Sequence, residues 1–255
     1  MSMTASARPV RKTSQLWRAL VASELWVFLR QPAMIAVSLL VPAGLLAITW
    51  IGERTENAGT WAGIGGRHTA AVLCITVYFV ALNTITARRH TLALKRLRTT
   101  PLPDLGIITG LLTPPVVVGL FQLVVVHSGL LALGAPTPDR PLVILAAGAS
   151  GILVAALAGV ATSAVTANPE KAQWTMLPLF VATMGAASLL PTISDPAAHL
   201  ALRAVPLVAN ADLTTAAWTA DGDPLRFAAD AGIVVAWLVV LSVLSHRTFR
   251  WERRR

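Results

Sequence analysis

The stretch TARRHTLALKRLRTTPLP, residues 86–103, carries five positive charges, Arg88, Arg89, Lys95, Arg96 and Arg98, in a chain that is otherwise mostly apolar. Uncharged runs flank it, 69–87 before and 105–133 after. A helix of about 20 residues crosses a hydrocarbon slab, so the basic stretch reads as a loop between two membrane spans. Four more runs of this kind lie further out, at 33–51, 142–167, 172–190 and 227–245, the last holding only Asp230. Hydrophobic residues make up 55% of the 255 positions and charged residues 13%, the balance of a bilayer protein rather than a soluble one. The expected fold class is therefore all-α and polytopic, a single domain with six transmembrane helices. Pro42, Pro114, Pro115 and Pro178 fall inside the runs and predict kinks rather than ends, because neighbouring helices satisfy the freed carbonyls.

Cytoplasmic flanks collect Lys and Arg. An even number of spans puts both termini on one side, and that side gathers Arg8, Arg11, Lys12, Arg18, Arg30, the five cations of the loop, Lys171, Arg247, Arg250, Arg253, Arg254 and Arg255. The other side keeps Arg54, Arg67, Arg140, Arg203 and Arg226, with most of the acids: Glu53, Glu56, Asp139, Asp195, Asp212, Asp221 and Asp223. Both termini and the 88–103 loop are thus expected in the cytoplasm, with the chain multi-pass in a cell membrane. The +9 net charge follows from that topology. The basic clusters lack interleaved aromatics and a soluble domain, which argues against a nucleic-acid partner. The first apolar core begins too late and runs too long for a cleaved signal peptide.

Within the N-terminal segment 1–32, residues 14–30 (SQLWRALVASELWVFLR) read as a helix on the inner membrane surface, with Trp17 and Trp26 at headgroup level. Glu24 spoils the apolar stripe, so it requires a partner or a protein contact. After the fifth run, residues 191–226 form two short helical patches, about 197–204 and 207–217, bounded by Pro196, Pro206 and the turn 221–224. They are too short to span. A re-entrant dip into the outer leaflet and a surface hairpin both fit.

Catalytic patterns are missing. The chain has no HExxH, no Gly-x-Ser-x-Gly, no pair of intramembrane carboxylates and no GK[ST] phosphate loop. It is read as a non-enzyme that binds no cofactor or metal of its own. Cys74 is the only cysteine, which excludes an intrachain disulfide and a cysteine zinc site. His68 and His127 stand alone and read as hydrogen-bonded packing residues. Asp230, near the outer end of the sixth run, is expected to reach water. Transport without an ATP site or an ion-coupling charge draws its energy from another protein, and the 88–103 loop is the natural contact. On one continuous helix His90, Leu94 and Leu97 share a face, and Pro101 and Pro103 stop the helix. A basic juxtamembrane helix that only binds anionic lipid has the same charge pattern.

The run HTLALKRLRTTPL, residues 90–102, resembles the GTLERLRATPL signature of the ABC-2 family of ATP-binding cassette transporter permeases, found in the loop after the second span. WVFLRQP at 26–32 is similar to the family's R-x-P approach to the first span. Residues 189–206 resemble its SG-x-x-x-P exit and proline-punctuated re-entrant segment, and Phe249-Arg250-Trp251 resembles its F-R-W ending. The likeness spans essentially the whole chain. It implies a permease that pairs with a second permease, identical or not, above two copies of a separate ATPase subunit that holds ATP and Mg. It also implies that the loop is a coupling helix, with Thr91, Leu92, Leu94, Lys95, Arg96, Leu97, Arg98 and Thr99 as ATPase-coupling residues. Two departures stand out: Arg88, Arg89 and His90 replace the usual acids and glycine, and Ala187-Ser188-Leu189 lacks the usual glycine.

Polar groups on or near the second and fifth spans, Thr76, Asn83, Thr84, Gln122, Thr175 and Thr183, are the substrate-pathway candidates, and each also fits a helix–helix hydrogen bond. So few intramembrane charges suit a hydrophobic or amphipathic cargo, and the family reading is export of a drug, natural product or lipid. Lipid-linked glycan export is a neighbouring alternative. A non-transporting scaffold or immunity subunit that anchors a cytosolic partner is the alternative from another class. Arginine outnumbers lysine 18 to 3 and alanine is abundant, as in a GC-rich bacterial genome.

Overall fold

A computed structural model describes residues 13–52, 57–219, 223–249 and 251. The expectations for Arg8, Arg11, Lys12, Glu53, Arg54, Glu56, Arg250, Arg253, Arg254, Arg255 and the turn at Asp221 and Gly222 lie outside the described residues. Every described element is helical. In chain order they are α1 (Thr13–Leu29), α2 (Pro32–Gly52), α3 (Ala58–Val72), a π-helical stretch (Leu73–Tyr78), α4 (Phe79–His90), α5 (Ala93–Leu97), α6 (Asp104–Ala132), α7 (Pro141–Ser163), α8 (Pro169–Leu189), a 3₁₀ turn (Leu190–Thr192), α9 (Pro196–Arg203), α10 (Val208–Trp218) and α11 (Pro224–Thr248).

Among the described residues, six helices are long and apolar enough to cross a membrane: Met34–Gly52, Ala58–His90, Asp104–Ala132, Pro141–Ser163, Pro169–Thr192 and Pro224–Thr248. This is the architecture of a multi-pass membrane protein. The four intra-run prolines all sit inside continuous helices, as expected. The largest boundary correction is the second span. It starts at Ala58 rather than 69 because the helix runs on through Arg67 and His68. A charge marks where a run stops being apolar, not where its backbone hydrogen bonds stop. The span is 33 residues long, about 50 Å of helix at 1.5 Å per residue.

Spans two and four make the centre, and spans one and six are the most exposed. Close packing at the centre follows from small residues. Ala147, Gly151, Ala155 and Gly159 recur every four residues along α7, all buried, and present one smooth stripe. Such stripes let helix backbones approach. A Cβ at Gly159 would sit 2.8 Å from the Leu82 nitrogen and the Tyr78 carbonyl oxygen, both backbone atoms of the second span. Gly159→Ala is therefore expected to destabilise by about 2 kcal/mol through overpacking, whereas Gly44→Ala, with nothing within 4 Å, is neutral or slightly stabilising. Scanning fluorimetry of the two variants in detergent separates these outcomes.

The molecule has two distinct ends. One end holds α1, α5, the α7–α8 turn and the chain's last described residues. There α1 packs along α6, with Trp17 Nε1 donating to Thr109 Oγ1 at 3.2 Å and Leu20 lying over Gly110. The opposite end holds α9, α10 and the α6–α7 connection. Of the two short helices in 191–226, α10 is no surface element. Nearly all of it is buried against α3 and α7, where Asn210 Nδ2 donates to the Ala147 carbonyl and the Ser150 hydroxyl, both at 3.0 Å. A Cβ at Gly66 would lie 2.6 Å from the Ala211 carbonyl oxygen, so only glycine admits α10 this close to α3.

Candidate functional site

The opening stretch divides into two parts that face different ways. Arg88, Arg89 and His90 end α4, where basic side chains complement the helix dipole. Arg88 donates to Glu24 at 2.6 Å, which supplies the partner that the apolar stripe of α1 requires. Arg89 is buried and donates to the Thr166 carbonyl in the α7–α8 turn. Both side chains tie α4 to its neighbours. The helix then breaks. Thr91 Oγ1 bonds back to the Ala87 carbonyl at 3.1 Å, and Leu92 takes a left-handed conformation, φ 59°. That backbone is rare for a branched side chain and costs on the order of 1 kcal/mol.

The single helix expected over 88–103 is thus a helix end, a tight reversal and the five-residue α5. His90, Leu94 and Leu97 do not share a continuous helical face, because the break at Leu92 changes the phase. Nor do the prolines stop α5. It ends at Leu97, and the Thr99 and Thr100 hydroxyls close it by donating to the Arg96 and Leu97 carbonyls at 2.7 and 2.6 Å.

Of the eight coupling candidates, Leu94 is fully buried in the main core and Leu97 packs against that core. Thr91, Leu92, Lys95, Arg96, Arg98 and Thr99 are exposed. Arg98 reaches Asp104 at 3.4 Å, and its guanidinium lies 4.7 Å over the Trp251 ring, itself edge-on to Phe249. With Leu102 also buried, α5 is a ledge anchored from below by leucines and braced at one side by the C-terminal aromatics.

The pathway candidates separate into three groups. Asn83 and Thr84 line a cavity of about 250 Å³ beside the ledge, with Glu24, Gln31, Arg88 and Thr91. Thr76 donates to Gln122 Oε1 at 2.5 Å, and Gln122 Nε2 donates to the Ser38 carbonyl at 2.9 Å, so this pair joins the first three spans. Thr183 donates to the Pro206 carbonyl at 2.9 Å, and Thr175 to the Lys171 carbonyl of its own helix at 2.8 Å. Only Asn83 and Thr84 are brought together at a cavity. His127 stacks on Trp218, with ring centroids 5.8 Å apart, and lies 3.4 Å from Thr69 Oγ1, while His68 lies 3.3 Å from Thr49 Oγ1. Both are hydrogen-bonded packing residues, as expected.

At the opposite end lies a charge cluster that the sequence reading leaves unassembled. Arg226 forks onto Asp212, with Nε to Oδ2 at 3.0 Å, and Arg203 Nε donates to Asp230 Oδ1 at 2.6 Å while lying 3.3 Å from Asp212 Oδ2. Asp212 and Asp230 are almost wholly buried. Asp230 therefore does not reach water, which corrects the expectation for it: α9 folds over the start of α11 and delivers Arg203 instead. The four residues pin α9 and α10 to α11. The only sequence clues were one acid in an apolar run and one in a short apolar helix.

No family model, curated protein or solved structure matches this chain.

Proposed function

We propose that the chain is the membrane permease subunit of an ABC-2 type transporter, powered by a separate ATPase, that exports a hydrophobic or amphipathic compound across a bacterial cell membrane. The observation that carries this reading is the ledge. The residues resembling the family signature form an exposed, basic surface whose underside is locked into the core by Leu94, and it adjoins span two, the longest and most buried of the six spans. Two ATPase subunits dock on the ledges of two paired permeases, through Thr91, Leu92, Lys95, Arg96, Arg98 and Thr99. Leu94 and Leu97 serve the ledge as anchors rather than as contacts.

The mechanics follow from the packing. A push on α5 passes through the Leu92 reversal into α4, because Leu94 gives α5 no freedom to slide. Span two, the most buried of the six, carries the displacement onward through its π-helical stretch. Its far end is in contact with α10 at Gly66, and α10 is pinned to α9 and α11 by the four-residue charge cluster. ATP-driven closure at one end thus displaces the helical cap at the other. A partner shifts such an equilibrium only by its differential affinity for the two states, which the shared ledge–ATPase contact supplies. Both termini and the ledge lie in the cytoplasm in this reading, and the α9–α10 cap outside.

Co-purification tests the contact. A candidate soluble ATP-binding cassette ATPase co-expressed with this chain is expected to stay with the wild-type chain through affinity purification in detergent. With Lys95→Glu plus Arg96→Glu, at least tenfold less is expected to remain, because two exposed charges are reversed in an interface. Undiminished recovery with the folded variant rejects the ledge as the docking surface.

A further inference from the structure

A second cavity, of about 270 Å³, opens at the end that holds the charge cluster, between α3, the end of α8, α9, α10 and α11. Its polar wall carries Arg67, His199, Arg226, Thr215 and Asp212. This is the end of the molecule where cations are scarce: the described residues supply only Arg67, Arg140, Arg203 and Arg226 there. Two of those four converge on one cavity.

Hydrogen-bonding capacity on that wall is unbalanced. The single carboxylate, Asp212, takes both Nε and Nη2 of Arg226 and lies 3.3 Å from Arg203 Nε, so its oxygens are committed. The Thr215 hydroxyl donates to the Ala211 carbonyl at 3.0 Å. A guanidinium has five N–H donors, more than any one carboxylate accepts, and an imidazole adds another. Arg67, Arg226 and His199 thus bring their donors to one cavity whose lining includes a single carboxylate, Asp212. Burial lowers the His199 pKa, with Asp212 raising it and Arg226 and Arg203 lowering it further, which favours the neutral ring.

Shape agrees with a ligand of two characters. Gly63 and Gly66 leave the α3 wall bare beside the Arg67 side chain. The facing wall, Leu190, Pro191 and Ile193, is apolar, and Leu189 beside it is half exposed on the outer surface of span five. An oxyanion on the arginines thus lies in a cavity that apolar side chains also line.

We propose that this cavity binds the oxyanion head, phosphate or carboxylate, of an amphipathic molecule, held by Arg67, Arg226 and His199. The site stands independently of the transport reading, since binding needs no ATPase. Native mass spectrometry of the full-length chain, titrated with dihexanoyl phosphatidylglycerol, dihexanoyl phosphatidylcholine and inorganic phosphate, tests it.

The anionic lipid is expected to bind about tenfold or more tightly than the zwitterionic one. Arg67→Gln and His199→Ala are each expected to remove most of that preference. Arg140→Gln, an arginine at the same end that stacks 4.9 Å over Phe227 outside the cavity, is expected to keep it. Inorganic phosphate binding as tightly as the lipid identifies a free oxyanion as the occupant, and a preference for the lipid identifies a headgroup. Equal binding of the two lipids overturns the proposal, as does full preference in a folded Arg67→Gln. If Arg67→Gln does not fold, His199→Ala, at a half-exposed position, carries the test alone.

Discussion

Leu94→Asp lowers the melting midpoint of the purified protein by about 10–20 °C. Leu94 has no exposed surface, and truncating a buried leucine alone costs about 2–5 kcal/mol. Aspartate adds an unpaired charge in the core, which brings the total to roughly 5 kcal/mol or more, at about 2–4 °C per kcal/mol for a chain of this size. Leu94→Ala gives a smaller drop from the same cause. Scanning fluorimetry in detergent reads both. If Leu94→Asp melts within about 2 °C of wild type, Leu94 is not an anchor and the ledge has no fixed underside. Lys95→Glu plus Arg96→Glu, on the exposed side of the same five residues, leaves the midpoint nearly unchanged, because exposed charges and their surface contacts contribute little to stability.

Arg203→Ala produces the second large effect, at the other end. It removes the arginine that pairs directly with Asp230 and takes one of two arginines from Asp212. Breaking a buried pair from one side costs about 3–5 kcal/mol, so the midpoint falls by roughly 10 °C. Removing both partners is milder. Arg203→Met plus Asp230→Leu leaves no stranded charge, and Asp212 keeps its fork to Arg226, so most of the lost stability returns. A double variant as unstable as Arg203→Ala would show that the side chains matter for their shape and not for their pairing.

The six spans were legible because a bilayer imposes a length and an absence of charge, and both are visible residue by residue. Their ends were not. Arg67 and His68 closed the second run on paper, yet the helix continues past them, since backbone hydrogen bonding is indifferent to one charge at the edge of a helical body. The break at Leu92 was hidden for a different reason. Left-handed backbone is usually announced by glycine, and here a leucine adopts it. Without that break, the helical phase assigned Leu94 to a contact face with His90, when in fact it points into the core.

Glu24 shows the reverse case. An acid on an apolar stripe demanded a partner, and Arg88 is that partner. The four-residue spacing from Ala147 to Gly159 is present in the sequence, but its role as a packing stripe emerged only with the structure. The Arg203, Asp212, Arg226 and Asp230 cluster was not readable, because its members come from three helices and meet only when α9 folds back over α11. Among the pathway candidates, nothing in residue type distinguished Thr76 and Gln122, which satisfy each other, from Asn83 and Thr84, which face a cavity. That difference is purely one of tertiary placement.

The measurement that bears most directly on the central claim is ATP hydrolysis by the proposed partner ATPase in proteoliposomes, alone, with the wild-type chain, and with the Lys95→Glu plus Arg96→Glu variant. Hydrolysis is expected to rise several-fold with the wild-type chain and to return to the rate of the ATPase alone with the variant, whose melting midpoint is nearly unchanged. Equal stimulation by both chains would contradict the account, leaving the basic ledge a lipid-facing surface and not the seat of an ATPase.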